Sequence, residues 1–295
     1  MRCLSQGMAD SPIGIAGAGR IGQALGRLLR DRGEPVAGVA GRDPRRTAIA
    51  AAFIGSGVRP VSYAELPALC SRVIIAVPDD ALDSVAGILS ETMRNGMVLH
   101  TCGTRGPEVL APLEALGISC AAMHPLQTVT SPEQGLNALP GAAFAITGSE
   151  SPPLTWALEI AASLKGQVLR IAAEHRPLYH AAAVMASNYT VALLDAAAIL
   201  MKESGIEEEQ ALRALTPLIR ASVENALTMG PLRALTGPVE RGDTGTIATH
   251  LRALADAPVP ECVKALYRAA GLHALAMARR KNPGADRNDM ELLFR

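Results

Sequence analysis

The 295-residue chain has no excess of charge of either sign, because 28 lysines and arginines are matched by 28 aspartates and glutamates. Without a net positive field nothing holds a polyanion at long range, so nucleic acid is not an expected partner. Paired cysteines are lacking too. Cys3, Cys70, Cys102, Cys120 and Cys262 are far apart, with no CxxC and no histidine at ligand spacing beside them. Neither a disulfide framework nor a metal site is expected, and the thiols read as reduced and intracellular, which implies a cytoplasmic protein. Residues 1–10 have one arginine and no apolar run, so a signal peptide is not expected and Met8 would serve equally well as a start. The segment from Ala181 to Met201 is apolar, but Ser187, Asn188, Thr190 and Asp195 interrupt it. A mid-span aspartate costs roughly 2.5 to 3.5 kcal/mol on insertion scales, so the segment reads as a buried helix of a soluble protein and no membrane association is expected.

What is present is a change of pattern along the chain. Length favours two domains. Through the first 170 or so residues, short Val/Ile-rich runs alternate with alanine-rich stretches, as βαβ units around a parallel sheet require. The expected strands are Ile13–Ala16, Val36–Ala40, Val73–Val77, Val98–Thr101, Ser119–Met123, Ala143–Thr147 and Gln167–Ile171. Their continuous apolarity predicts helices on both faces. Beyond about Ala173 the strand signals stop, and His175–Ser204, Glu207–Met229, Thr244–Ala255 and Pro260–Lys281 read as helices. The expected fold is α/β: a Rossmann-type domain over residues 1–172, then an all-helical domain over 173–295. No tandem repeat or low-complexity linker separates them, so an active site in a cleft between domains is expected.

Gly17-Ala18-Gly19-Arg20-Ile21-Gly22 follows the first strand and opens a helix. In that setting Gly17 makes the tight turn, Gly19 lets the backbone approach a pyrophosphate, and Gly22 permits close packing of helix on strand. The helix N-terminus receives the phosphates. The second strand runs into Gly41-Arg42-Asp43, where an NAD site usually carries an acid for the ribose hydroxyls. Arg42, with Arg45 or Arg46, is placed to clasp a 2′-phosphate, which points to NADP(H). A one-residue shift would instead make Asp43 the NAD-type acid. Val77-Pro78 and Thr101-Cys102, at the ends of later strands, supply small residues that would floor a nicotinamide ring.

Three groups offer chemistry toward a substrate. His124, in His124-Pro125, follows a strand at the same edge and can exchange a proton near neutral pH. His180 and Asn188 lie two turns apart on one long helix, with Ser187 beside them. They suit a proton donor and an orienting amide. Thr236, Gly237 and Arg241 sit in a Gly/Pro-rich loop, where Arg241 would hold a substrate carboxylate. Ordinary turns, helix packing and a helix connector would account for the same residues.

Taken together, GAGRIG (17–22), VIIAVPDDAL (73–82), HPLQT (124–128), YHAAAVMASNYTVALLDAA (179–197) and LTGPVERGD (235–243) resemble a family of bacterial Rossmann-like oxidoreductases whose helical C-terminal domain has no assigned function. The resemblance spans nearly the whole chain. By architecture that family is similar to ketopantoate reductases, pyrroline-5-carboxylate reductases, deazaflavin-dependent NADP reductases and 6-phosphogluconate dehydrogenases. It implies a second domain like that of the last group, a homodimer formed through the helical domains, and NADPH-dependent reduction of a small carbonyl acid such as ketopantoate. His180 would be the proton donor and His124 the alternative. Ketopantoate reductases carry a lysine and two asparagines at four-residue spacing on this helix, where the present chain has His180, Val184 and Asn188. Prephenate dehydrogenases share a His-Pro pair with a nearby hydroxyl, a part Thr101 or Thr104 would play here. An imine reductase of the pyrroline-5-carboxylate type and a non-catalytic NADP(H) sensor are the alternatives.

Overall fold

The computed structural model describes residues 11–295. The expectations for residues 1–10, including Cys3, lie outside the described residues. The chain forms two compact units that meet between Ala186 and Ser187. The helix Arg176–Ala186 therefore groups with the first unit, fourteen residues beyond the boundary expected from the loss of strand signals.

The first unit is one eight-stranded sheet in the order β3-β2-β1-β4-β5-β6-β7-β8. Its strands are β1 Ile13–Ala16, β2 Val36–Ala40, β3 Arg59–Val61, β4 Arg72–Ile75, β5 Met97–His100, β6 Ser119–Leu126, β7 Ala143–Thr147 and β8 Gln167–Arg170. β3 had no sequence signal, because a three-residue edge strand containing Pro60 buries too little to need an apolar run. The first six strands are parallel, but β7 pairs antiparallel with β6 and only then parallel with β8, so the all-parallel expectation is corrected. The connection from β6 to β7 holds one seven-residue helix, Pro132–Ala138. Such a helix spans about 10 Å, too short to carry the chain back along an eight-residue strand of about 26 Å. The chain turns and runs back instead.

Two apolar layers sandwich the sheet. On one face α1 (Arg20–Asp31) buries Ala24, Leu25, Leu28 and Leu29 against Ile13, Ile15 and Val39. Trp156 and Ile160 of a helix at Pro152–Ser163 extend the same layer. On the other face Val85, Ala86 and Leu89 pack on Val73, Ile75 and Val98. Both faces are covered, as the continuous apolar strands require. Burial pushes the Cys70 and Cys120 thiols up to about 12, so both are inert apolar filler.

The second unit is helical, with principal helices Asn188–Glu203, Glu208–Met229, Thr244–Asp256, Glu261–Lys281 and Asn288–Phe294. Ile247, Leu251, Leu275, Met290 and Phe294 form its core. Gly271 admits the Phe294 ring, which a methyl group there would strike at 2.2 Å.

Two expectations for the long helix need correction. It is broken at Ser187, which sits in a turn between Arg176–Ala186 and Asn188–Glu203. Nor is it buried. The stretch Ala173–Glu203 is long and apolar enough to cross a membrane by length and composition, and only 11% of its most apolar window is buried within the chain. Met185, Tyr189 and Val191 are each more than half exposed.

Candidate active site at the carboxyl edge of the sheet

β1, β4, β5 and β6 run parallel, so the segments leaving them emerge on one edge. The order of connection reverses between β1 and β4, with β2 on one side and β5 on the other. A crevice opens at such a switch point. Here a cleft of about 260 Å³ is lined by Gly17, Ala18, Gly19, Gly41, Arg42, Arg46, Val77 and Pro78, among others.

Local stereochemistry explains the glycines. Gly17 has φ +138°, and a Cβ on it would stand 2.2 Å from the Ala76 carbonyl oxygen. A Cβ on Gly22 would stand 2.1 Å from the Gly17 carbonyl oxygen. The turn and the start of α1 close only without these side chains. Gly19 is the N-cap of α1, and no side chain caps the helix. The first-turn backbone N–H groups, those of Arg20 and Ile21 among them, therefore have no side-chain cap at the helix end whose Gly19 lines the cleft.

Beside β2, Asp43 caps the helix Pro44–Ile54, its Oδ1 accepting from the backbone N–H of Arg45 at 2.8 Å and Arg46 at 3.2 Å. Asp43 thus caps the helix through Oδ1 and also lines the cleft. Arg42 and Arg46 line the cleft together with Tyr63. The Tyr63 hydroxyl is raised above its ordinary pKa by burial and drawn back by the positive charge of Arg42. The donor set suits a phosphorylated dinucleotide: backbone N–H groups for a pyrophosphate and two guanidinium groups for a further phosphate.

Farther along the edge the loops are tied to one another. Thr101 Oγ1 donates to the Ile75 carbonyl at 3.4 Å. Thr104 Oγ1 donates to Asp79 at 3.1 Å and lies 3.3 Å from the Cys102 sulfur. His100 is fully buried and its pKa is pulled down to about 4 by burial. Its Nδ1 accepts from the Cys102 N–H at 3.2 Å, so Nε2 donates to the Gly106 carbonyl at 2.9 Å. His100 holds the loop from 101 to 106 in shape.

His124 lies inside β6, one turn of pleat before its end, and not in a loop beyond the strand. Its Nδ1 shares a hydrogen bond of 2.9 Å with the Tyr179 hydroxyl. Its ring centroid is 5.8 Å from that of His180. Gly103 lies against both imidazoles, and a Cβ there would stand 2.2 Å from His180 Cδ2 and 3.0 Å from His124 Nε2. Burial, then the charges of Arg176 and His180, lower the His124 pKa to about 4, with Asp79 acting weakly the other way.

Arg176 completes the cluster. It is fully buried, with one guanidinium nitrogen donating to Thr147 Oγ1 at 2.9 Å and another to the Cys102 carbonyl. Its Nε has no hydrogen-bond partner. Among the described residues no carboxylate lies within ion-pair distance of it.

The structure therefore brings His124 and His180 together against Gly103, from the small-residue turn after Thr101, and adds Tyr179 and Arg176, neither of which the sequence reading placed in the site. Tyr179 adjoins His180 in the quoted helix, but its role depends on β6, 55 residues earlier. Ser187 and Asn188 begin the second unit. Thr236, Gly237 and Arg241 also lie in that unit, Arg241 exposed at the end of a helical turn, Pro238–Arg241. That turn is held from behind: Arg287 donates to the Glu240 carbonyl at 2.7 Å and Lys281 to the Leu235 carbonyl at 2.9 Å. Among the described residues no three His, Cys, Asp or Glu side chains gather as a metal site.

No curated protein sequence matches the chain. Among solved structures it is similar to a candidate NADP oxidoreductase from Bacteroides fragilis, at 23% identity over 91% of this chain and 99% of that one, with a TM-score of 0.74. A Thermotoga maritima protein is similar at 23% identity, 91% and 99% coverage and a TM-score of 0.69. A pyrroline carboxylate reductase from Plasmodium falciparum with NADP bound follows at 15%, 94%, 98% and 0.58. At these identities the likeness is one of fold. Residues 6–125 match the Rossmann-like domain and residues 142–274 match a domain of unknown function, DUF2520. The chain thus matches a Rossmann-like domain in its N-terminal part and DUF2520 in its C-terminal part.

Proposed function

We propose that the protein is an NADPH-dependent oxidoreductase that reduces a small carbonyl acid such as ketopantoate. The observation that carries this reading is the cleft itself, with Gly17 and Gly19 on one wall and Arg42 and Arg46 at the end where a 2′-phosphate would lie. NADP in the pyrroline carboxylate reductase and NADPH in a reductive aminase of the same fold support the choice of cofactor. The bound dinucleotide supplies the hydride. Gly17, Ala18 and Gly19 hold its phosphates, while Val77, Pro78, Thr101 and Cys102 leave room at the edge for a flat ring. In this reading His180 and His124 supply the proton that must be delivered once the carbon is reduced.

Imine reduction is the second reading, favoured by an imine reductase from Streptomyces aurantiacus that is similar over 91% of this chain, at 16% identity and a TM-score of 0.59. Absorbance of the reduced nicotinamide, followed with ketopantoate or a cyclic imine and with NADPH or NADH, tests both. Oxidation of NADPH in preference to NADH establishes the reductase and its substrate class. Tight NADPH binding without turnover of either substrate leaves a dinucleotide sensor.

A homodimer accompanies this proposal. Leu193, Leu218, Val223 and Leu227 in the helical unit are 46%, 63%, 46% and 78% exposed, and apolar helical surface of this kind supports the reading where it forms a continuous patch. A second copy is the occupant proposed for it.

A further inference from the structure

The geometry points to a proton relay in which the Tyr179 hydroxyl recharges His124 through Nδ1 while His124 Nε2 serves as the acid, with the buried Arg176 guanidinium steadying the phenolate. This rests on the reductase reading and names the residues that run its proton.

Three observations converge on it. The Tyr179–His124 hydrogen bond occupies Nδ1 and leaves Nε2 as the nitrogen facing Gly103 and His180. The two rings meet edge to face, at 5.7 Å between centroids and 83° between planes, so the contact is the hydrogen bond and not a stack. Arg176 lies three residues before Tyr179 on the same helical turn, fully buried, with one guanidinium nitrogen unpartnered and no direct ion pair among the described residues, Glu108 and Asp79 acting on it from beyond ion-pair distance. A buried cation without a direct ion pair is costly, and a negative charge forming on Tyr179 recovers part of that cost: the Arg176 charge draws the Tyr179 hydroxyl down against the larger raising effect of burial.

His124 is flanked by Tyr179 and His180 from the helix, with the charges of Arg176 and Asp79 also acting on it. Burial and the charges of Arg176 and His180 outweigh that of Asp79 and keep the ring neutral near pH 7, so it holds one proton and cannot act as a pre-formed imidazolium. A neutral imidazole gives up that proton readily only if another reaches its second nitrogen. The balance is then complete. The two electrons and the hydrogen at carbon come from the reduced dinucleotide. The oxyanion left on the substrate takes the Nε2 proton, the Tyr179 O–H bond breaks toward Nδ1, and its electron pair stays on the phenolate oxygen. The relay resets when a proton from water reaches Nε2 and the Nδ1 proton returns to the phenolate, which restores the starting tautomer. His124 would be the catalytic residue, with Tyr179 and Arg176 acting through it.

The test uses Tyr179→Phe in the full chain, with two readouts. Nitrogen-15 spectra of the wild-type histidines are expected to show His124 as the Nε2–H tautomer with an accepting Nδ1, and Tyr179→Phe is expected to mix the tautomers. Turnover is expected to fall about 100-fold, the usual scale of a lost proton transfer, with NADPH affinity and KM within about twofold. A wild-type Nδ1–H tautomer overturns the relay, because His124 would then donate to Tyr179. Full turnover in Tyr179→Phe overturns it as well and returns the acid role to His180. Should the wild type reduce no substrate, the reductase reading falls, while the tautomer still decides the direction of the hydrogen bond on which the relay stands.

Discussion

The imidazoles of His124 and His180 stand 5.8 Å apart with their planes at 68°, and the residue that lets them approach is Gly103. His124 belongs to a sheet strand and His180 to a helix more than fifty residues later. Replacing Gly103 with Ala places a methyl carbon 2.2 Å from His180 Cδ2. The ring must move, because real Cβ atoms do not come so close. Turnover is expected to fall at least about tenfold with a loss of stability of about 1 to 3 kcal/mol, the ordinary cost of overpacking. Steady-state kinetics and a thermal melt of the same variant check both.

The proposed function assigns the choice of cofactor to Arg42 and Arg46, which line the cleft. Removing Arg42 costs the charge-assisted bonds to a 2′-phosphate, worth roughly 1.5 to 3 kcal/mol. Arg42→Ala is therefore expected to weaken NADPH binding about 10- to 100-fold and to leave NADH binding nearly unchanged. Calorimetric titration with both nucleotides measures it, and equal losses for the two would place the 2′-phosphate elsewhere.

Gly17→Ala strikes backbone, not a flexible side chain. The added carbon meets the Ala76 carbonyl oxygen at 2.2 Å, and φ +138° is itself unfavourable for an L residue. NADPH binding is expected to be lost, together with several degrees of Tm. Retention of full affinity would mean that this turn does not hold the pyrophosphate.

Acid should weaken the fold through two histidines. His100 and His124 are held at about 4 in the folded chain, below the ordinary 6.5, chiefly by burial. Between those values the unfolded chain binds more protons than the folded one, so stability is full above pH 6.5 and falls as pH drops toward 4. Each site accounts for up to about 3 kcal/mol. Urea melts at about pH 7.5 and pH 5 should show the decline. His100→Gln, although less stable at neutral pH, should show a shallower one.

The apolar helical surface makes its own prediction. Leu227→Asp or Leu218→Asp, at positions 78% and 63% exposed in the single chain, should convert a dimer to a monomer in light scattering while NADPH affinity is retained. A wild-type monomer would remove the homodimer.

The amino-acid sequence by itself determined the repeating strand–helix pattern, the switch to helices after about residue 172 and the glycine turn at 17–22, because these are local. Each depends on apolar spacing or on a backbone angle that only glycine adopts readily. It also brought out His124 and His180, whose chemistry marks them wherever they lie. Tertiary structure decided the rest. It set β7 antiparallel, since the short connection before it cannot recross the sheet. It turned Asp43 into a helix cap and left the helix after Arg176 exposed. It joined His124 to Tyr179 and set a buried Arg176 beside them, a relation between residues 52 to 55 positions apart that no local pattern encodes. Hydrogen bonds and burial depend on which strand ends beside which helix, and that is settled only when the sheet closes.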